Sequence, residues 1–173
     1  ARGLEWLASE SGQNRNIDIF AVNLSAQSVG DISFVDFVDT LLESHGIQPE
    51  RLCFEIAESA AVANLAHTQG FVRELSGRGV RMALDNFGNG LSSFAYLKSI
   101  PVDYLKIDGA LIRGMVGDPV VQTMVKSVNE IGQVMGKKTV AEFAESDELV
   151  AQLKELGVDY VQGYAITRPQ PLC

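Results

Sequence analysis

The sequence predicts an α/β fold of about six βα units, either an open doubly wound sheet or a (β/α)8 barrel short of two strands. Three observations carry that expectation. Short apolar runs rich in β-branched residues recur along the chain, stretches of 3.6-residue periodicity separate them, and glycine or polar punctuation marks each change.

In chain order, the apolar runs place strands at 17–23, 52–56, 80–85, 104–107, 138–141 and 159–162. Between them, Phe34, Phe37, Val38, Leu41 and Leu42 make one helical stripe. Val121, Met124, Val125, Val128 and Ile131 make a second, and Leu149, Val150 and Leu153 a third. Each stripe needs a sheet to cover. Gly46, Gly79, Gly136 and Gly157 fall where the helices should stop, because glycine takes the left-handed cap conformation without steric cost.

The length, 173 residues with 46% hydrophobic side chains, suits a single globular domain spanning residues 1–173, and no composition shift marks a linker. A net charge of −8 is the wrong sign for wrapping a nucleic-acid polymer. A small anionic ligand bridged by cations stays open. No apolar run reaches the ~18–20 residues of a membrane helix, so no membrane contact by this segment is expected and the expected compartment is the cytoplasm. A longer parent could still be anchored through other domains. Cys53 sits in an apolar run and Cys173 is the last residue, which predicts neither a disulfide nor a zinc site. His45 and His67 read as solvated or capping groups.

The informative feature is where polar residues interrupt apolar strands. Asn23, Glu55, the Asp85-Asn86 pair, Lys106 with Asp108, Glu142 and Gln162 stand at or near the ends of the six expected strands. Each alone could cap a helix or solvate a turn. In a parallel barrel, however, all strand C-termini share one face, so distant residues converge there. Carboxylate and amide oxygens are hard donors, which points to Mg²⁺, Mn²⁺ or Ca²⁺ rather than zinc or copper. Lys106, inside Tyr-Leu-Lys-Ile-Asp, needs a partner, with Asp108 and Asp85 in reach. A paired structural lysine and a Schiff-base lysine are the alternatives. Leu84 through Gly90 is a strand running into a glycine-rich loop.

Together these residues resemble the EAL domain family of cyclic di-GMP phosphodiesterases and receptors. The resemblance rests on Asn23-Leu24-Ser25, Glu55-Ile56-Ala57-Glu58, Asp85-Asn86-Phe87-Gly88-Asn89-Gly90, Lys106-Ile107-Asp108, Ala141-Glu142-Phe143-Ala144-Glu145 and Gln162-Gly163-Tyr164, in family order. It implies a modified TIM (β/α)8 barrel, of which this chain supplies about six βα units. It implies that Asn23, Glu55 and Asp85 hold one Mg²⁺ or Mn²⁺, and that Asp85, Asn86 and Glu142 hold a second. Lys106 and Glu142 would be the catalytic pair, with Lys106 orienting the water, and cyclic di-GMP would be hydrolysed to linear pGpG by two-metal chemistry. Gln162 and Asp108 would contact substrate, and Glu58 would fasten the 86–97 loop, which in the family supports dimer contacts.

The chain departs from the family in three ways. The Glu-Ala-Leu signature and the two strands around it are absent, so the sequence reads as a fragment of a longer parent. Asn86 replaces the second aspartate of the family loop, which removes one negative charge facing the second metal and weakens that site. Ala57 and Phe143-Ala144 replace Thr and Gly-Val. Two function classes therefore stand: a phosphodiesterase of reduced activity, or a catalytically inactive cyclic di-GMP receptor or protein-interaction module, whose site binds the dinucleotide or nothing and which signals through a protein partner. Open sheet edges at 17–23 and at the last strand predict a homodimer or an exchanged segment.

Overall fold

The computed structural model describes residues 2–9, 17–88 and 94–171. Cys173 and the Asn89-Gly90 end of the glycine-rich loop lie outside the described residues. Contacts divide the chain into two compact units, Ala1–Met82 with Gln170–Cys173, and Ala83–Pro169.

In the first unit, helix α1 (Arg2–Ala8) precedes strand β1 (Phe20–Leu24), and helix α2 (Ile32–His45) leads to strand β2 (Leu52–Ala57). Helices α3 (Glu58–Ala63) and α4 (Leu65–Gly77) follow. β1 and β2 pair in parallel, with Phe20 opposite Leu52 and Asn23 opposite Glu55. Parallel strands need a crossover, and α2 supplies it. Asp31 opens α2 by accepting from the Ser33 amide at 3.0 Å, and Gly46 closes it at φ 61°. Five of the six β2 residues are buried, as expected of a strand covered on both faces.

Two details differ from expectation. β1 starts at Phe20 rather than residue 17, because the Ile17 carbonyl accepts from the Arg51 guanidinium at 2.9 Å instead of joining a ladder. The α2 stripe is rotated by one position: Val35 is fully buried with Val38 and Leu42, while Phe37 is 48% exposed.

Strand β3 (Arg81–Phe87) begins in the last residues of the first unit and runs into the second, where β4 (Tyr104–Ile107), β5 (Lys138–Ala141) and β6 (Tyr160–Val161) follow. From β3 onward each strand pairs in parallel with the next in sequence. Helices α5 (Gly109–Gly114), α6 (Pro119–Val134) and α7 (Asp147–Glu155) make the connections. Asp118 and Pro119 start α6, whose Val125 and Val128 are buried. Gly136 and Gly157 have φ of 69° and 75°, as their positions at helix ends require. Among the described residues there are six strands, each parallel to its paired neighbours, interleaved with helices, which is the α/β class expected. No helix among them is long and apolar enough to cross a membrane.

Candidate functional site

The second unit gathers three of the predicted residues. Asp85 comes from β3, Lys106 from β4, and Glu142 follows the last residue of β5. Parallel strands in consecutive order put those ends on one side. The Lys106 ammonium lies 2.8 Å from Glu142 Oε1 and 3.5 Å from Asp85 Oδ1. Lys106 and Glu142 are 5% and 8% exposed, so each charge depends on the other. Two carboxylates share one ammonium, which leaves one surplus negative charge. Burial raises the Glu142 pKa, the Lys106 hydrogen bond and charge pull it back down, and the Asp85 charge adds to the rise.

The β3–β4 register shifts between Leu84 and Phe87, so Asp85 and Asn86 sit on an irregular stretch of ladder. Such bulges re-aim side chains. Asn86 takes φ 56°, a left-handed conformation that asparagine tolerates, and its Nδ2 donates to Asp85 Oδ2 at 3.0 Å. Asp85 Oδ1 is buried and accepts no hydrogen bond among the described residues.

The other predicted residues have distinct surroundings. Asp108 is buried and caps α5, its Oδ1 accepting from the Ala110 amide at 2.7 Å. Gln162 is exposed; its backbone N–H donates to Ala141 O at 2.8 Å and its backbone carbonyl accepts from Ala144 N at 3.1 Å. Gln162 and Glu142 line a pocket of about 270 Å³ with Phe143, Glu145, Gly163 and Tyr164. In the first unit, Asn23 and Glu55 are register partners, Asn23 exposed and Glu55 buried. Glu58 is buried at the start of α3, and part of the 86–97 loop it is expected to fasten lies outside the described residues. His45 Nδ1 sits 2.9 Å from Leu41 O, as a helix-end residue should.

Sequence reasoning missed Glu145, Phe143 and Tyr164 as pocket walls. The signal was present, since all three stand inside the Ala-Glu-Phe-Ala-Glu and Gln-Gly-Tyr segments. Gly163 is required by contact: a Cβ there would lie 2.2 Å from the Ala144 carbonyl oxygen.

Among the described residues no three His, Cys, Asp or Glu side chains stand together as a metal cluster. Within the second unit two carboxylates, Asp85 and Glu142, flank the Lys106 ammonium. The pair still fits a hard divalent cation, because its donors are carboxylate oxygens, one buried oxygen has no hydrogen-bond donor, and the charge is in surplus.

Residues 3–169 match the EAL domain. The chain is 40% identical over 167 residues to the cyclic di-GMP phosphodiesterase PdeB of Shewanella oneidensis, covering 96% of this chain and 19% of that protein. It spans about a fifth of the length of the curated relatives it matches. A structure described as the PaMucR phosphodiesterase in complex with c-di-GMP superposes with a TM-score of 0.91 at 31% identity, over 98% of this chain and 69% of that one. The FimX EAL domain of Pseudomonas aeruginosa bound to c-di-GMP gives 0.89 at 25% identity, over 99% and 69%. With its strand order, its polar strand ends and this likeness in agreement, the chain belongs to the EAL domain family.

Proposed function

We propose that this chain forms the cyclic di-GMP site of a phosphodiesterase that opens the cyclic dinucleotide to linear pGpG. The observation that carries the reading is the buried Lys106 ammonium held between Asp85 and Glu142. The relatives named for that activity support it. Asp85 and Glu142, and in the first unit Asn23 and Glu55, are assigned as oxygen donors for Mg²⁺ or Mn²⁺, with Asn86 offering an amide oxygen in place of a charge. A bound divalent cation would supply Lewis acidity at the phosphoryl group and a lowered pKa for water.

The chain's own residues do the rest. Lys106 Nζ orients the attacking water, and Glu142 takes its proton at the carboxylate. The water oxygen bonds to phosphorus, the bond from phosphorus to the 3′ oxygen breaks, that oxygen takes up a proton from solvent, and Glu142 returns its own proton to solvent. Gln162 and Asp108 are assigned to the substrate side, Glu58 to loop anchoring.

A receptor reading has one observation in its favour: Asn86 donates to Asp85 Oδ2 where the family resemblance has a second carboxylate. The two separate in one experiment. Cyclic di-GMP and Mn²⁺ are incubated with the chain and with Asn86→Asp, and pGpG is read by chromatography while binding is read by calorimetry. The expected result is slow turnover by the natural sequence, raised in Asn86→Asp by up to about a hundredfold, the occupancy change worth ~3 kcal/mol of metal affinity. Binding by both without pGpG from either assigns the receptor.

The same reading places residues 1–173 in a single EAL-type domain, working in the cytoplasm as a homodimer and with a protein partner. Phe94, Val120 and Met124 line an exposed apolar groove in the second unit that supports a docking role. Sedimentation at micromolar concentration should show the dimer; a monomer throughout would remove that part.

A further inference from the structure

We propose that Asp159 is a positioning residue: its carboxylate fixes the register of β6 on β5 and so sets Gln162 beside Glu142. β6 is two residues long, Tyr160–Val161, and pairs with β5 alone among the described residues. Tyr160 is 50% exposed and Val161 half-buried, so neither a long ladder nor a buried side chain specifies where the strand sits. A parallel strand this short is weakly specified by its own hydrogen bonds, and a slip of one residue would turn Gln162 to the other face of the sheet.

The missing specification comes from the residue before the strand. Val140 pairs with Tyr160 and Ala141 with Val161, which puts Asp159 beside Thr139 one step earlier. Asp159 Oδ2 accepts from the Thr139 amide at 2.9 Å, and the Asp159 amide donates to Thr139 Oγ1 at 3.3 Å. Side chain and backbone of one residue thus hold the same partner, as a further rung of the ladder would. Thr139 is fully buried, and its Oγ1 donates to Asn129 Oδ1 at 2.5 Å. Asn129 and Gln133, four residues apart on α6, donate to Leu156 O and Gly157 O, both at 2.9 Å. The turn that delivers Asp159 is therefore seated on α6, and Asp159 itself on β5. Lys138 Nζ also lies 2.7 Å from Asp159 Oδ1, but the Lys138 side chain is 60% exposed and such a pair contributes little.

At the other end of β6 this placement reaches the site. Gln162 N donates to Ala141 O at 2.8 Å, and Gln162 lines one pocket with Glu142. Ala144 N donates to Gln162 O at 3.1 Å, which joins Gln162 to the irregular segment after Glu142, whereas the Asp159 contacts join it to the buried strand. The consequence for ligand rests on the cyclic di-GMP reading above; the consequence for backbone geometry does not.

The first readout therefore needs no ligand: the ¹⁵N–¹³C′ coupling across the hydrogen bond from Gln162 N to Ala141 O. Asp159→Ala should lose it. Asp159→Asn, whose side-chain oxygen still accepts from the Thr139 amide, should keep it, and so should Lys138→Met. The coupling from Asp108 N to Phe87 O, a 3.0 Å bond between β3 and the end of β4, is the control and should survive in every variant. The second readout is kinetic. Asp159→Ala should raise KM for cyclic di-GMP about tenfold, the worth of one hydrogen bond, with kcat little changed. Gln162→Ala should do the same, and the double variant should be no worse than Gln162→Ala, because Asp159 acts through Gln162.

A Gln162–Ala141 coupling unaltered in Asp159→Ala overturns the proposal. Loss of both couplings also overturns it, since Asp159 would then be a general stabiliser, and so does strict additivity of Asp159→Ala with Gln162→Ala in KM. Should Asp159→Ala not fold, Thr139→Val decides, because it keeps the volume and deletes only the hydroxyl that the Asp159 amide reaches: a coupling weakened at Gln162 alone supports the proposal and an unaltered one overturns it. If no form makes pGpG, the same comparison is made in Kd by calorimetry. If none binds cyclic di-GMP, the cyclic di-GMP reading fails by itself and the coupling still decides on Asp159.

Discussion

Lys106 and Lys137 are both buried lysines of the second unit, 5% and 9% exposed, yet their surroundings differ in kind. Lys106 meets the Glu142 and Asp85 carboxylates near the ends of β4 and β5. Lys137 stands before the start of β5 and donates to the carbonyls of Ile100 at 3.3 Å and Val102 at 3.0 Å. Beside it, Thr139 Oγ1 donates to Asn129 Oδ1 at 2.5 Å, Asn129 Nδ2 donates to Leu156 O at 2.9 Å, and Asp159 accepts from the Thr139 amide. Carbonyls satisfy an ammonium and carry no net charge. Two carboxylates over one ammonium leave a charge unanswered. A buried cation is therefore not a site in itself; surplus charge around it is what invites a ligand.

Removing each cation should expose that difference most sharply at Lys106. In Lys106→Met the Asp85 and Glu142 carboxylates face each other without a counter-charge, and breaking a buried pair in this way costs ~3–5 kcal/mol. The urea midpoint should fall accordingly, and millimolar Mn²⁺ should recover part of the loss. A Lys106→Met variant as stable as the natural sequence would break the comparison, because the surplus charge would then be fictional. At the opposite end Asn129→Ala should cost ~1–3 kcal/mol, the usual penalty for leaving buried partners unsatisfied, with no response to Mn²⁺. Recovery of Asn129→Ala by the metal would show that Mn²⁺ stabilises this chain generally rather than at Asp85 and Glu142.

The sequence made one of these two ends legible and not the other. Asp85, Lys106 and Glu142 each interrupt or close an apolar run, so their placement at strand ends could be read directly. Lys137 could not, because Gly136-Lys137-Lys138 looks like a solvated turn entering a strand and its partners are backbone carbonyls, which leave no side-chain signature. Glycines at helix ends were readable for a positional reason, and Gly46, Gly136 and Gly157 all take positive φ. The bulge at Asp85-Asn86 and the left-handed Phe143 were not, since asparagine permits a left-handed turn without requiring one and an aromatic gives no sign of it. Asp108 shows a different limit: a carboxylate after a strand can reach a ligand, cap the next helix or do both, and only its 2.7 Å contact with Ala110 N shows that it caps.

The smallest expected effect is a pH dependence, and it tests the carbonyl cage directly. Burial lowers the Lys137 pKa below the ordinary 10.5, with the Asp103 charge opposing. The folded state therefore binds fewer protons than the unfolded state in the window between the lowered value and 10.5, and stability rises with pH across it. Compared with Lys137→Met, which lacks the titration but shares every other group, the natural sequence should gain stability from neutral pH toward pH 10.5, and the gain should level off above that. Paired urea titrations across this range measure it. A difference that stays flat would mean that Ile100 and Val102 hold the ammonium as well as water does. The contrast with Lys106 would then rest on surplus carboxylate charge alone, with desolvation playing no part.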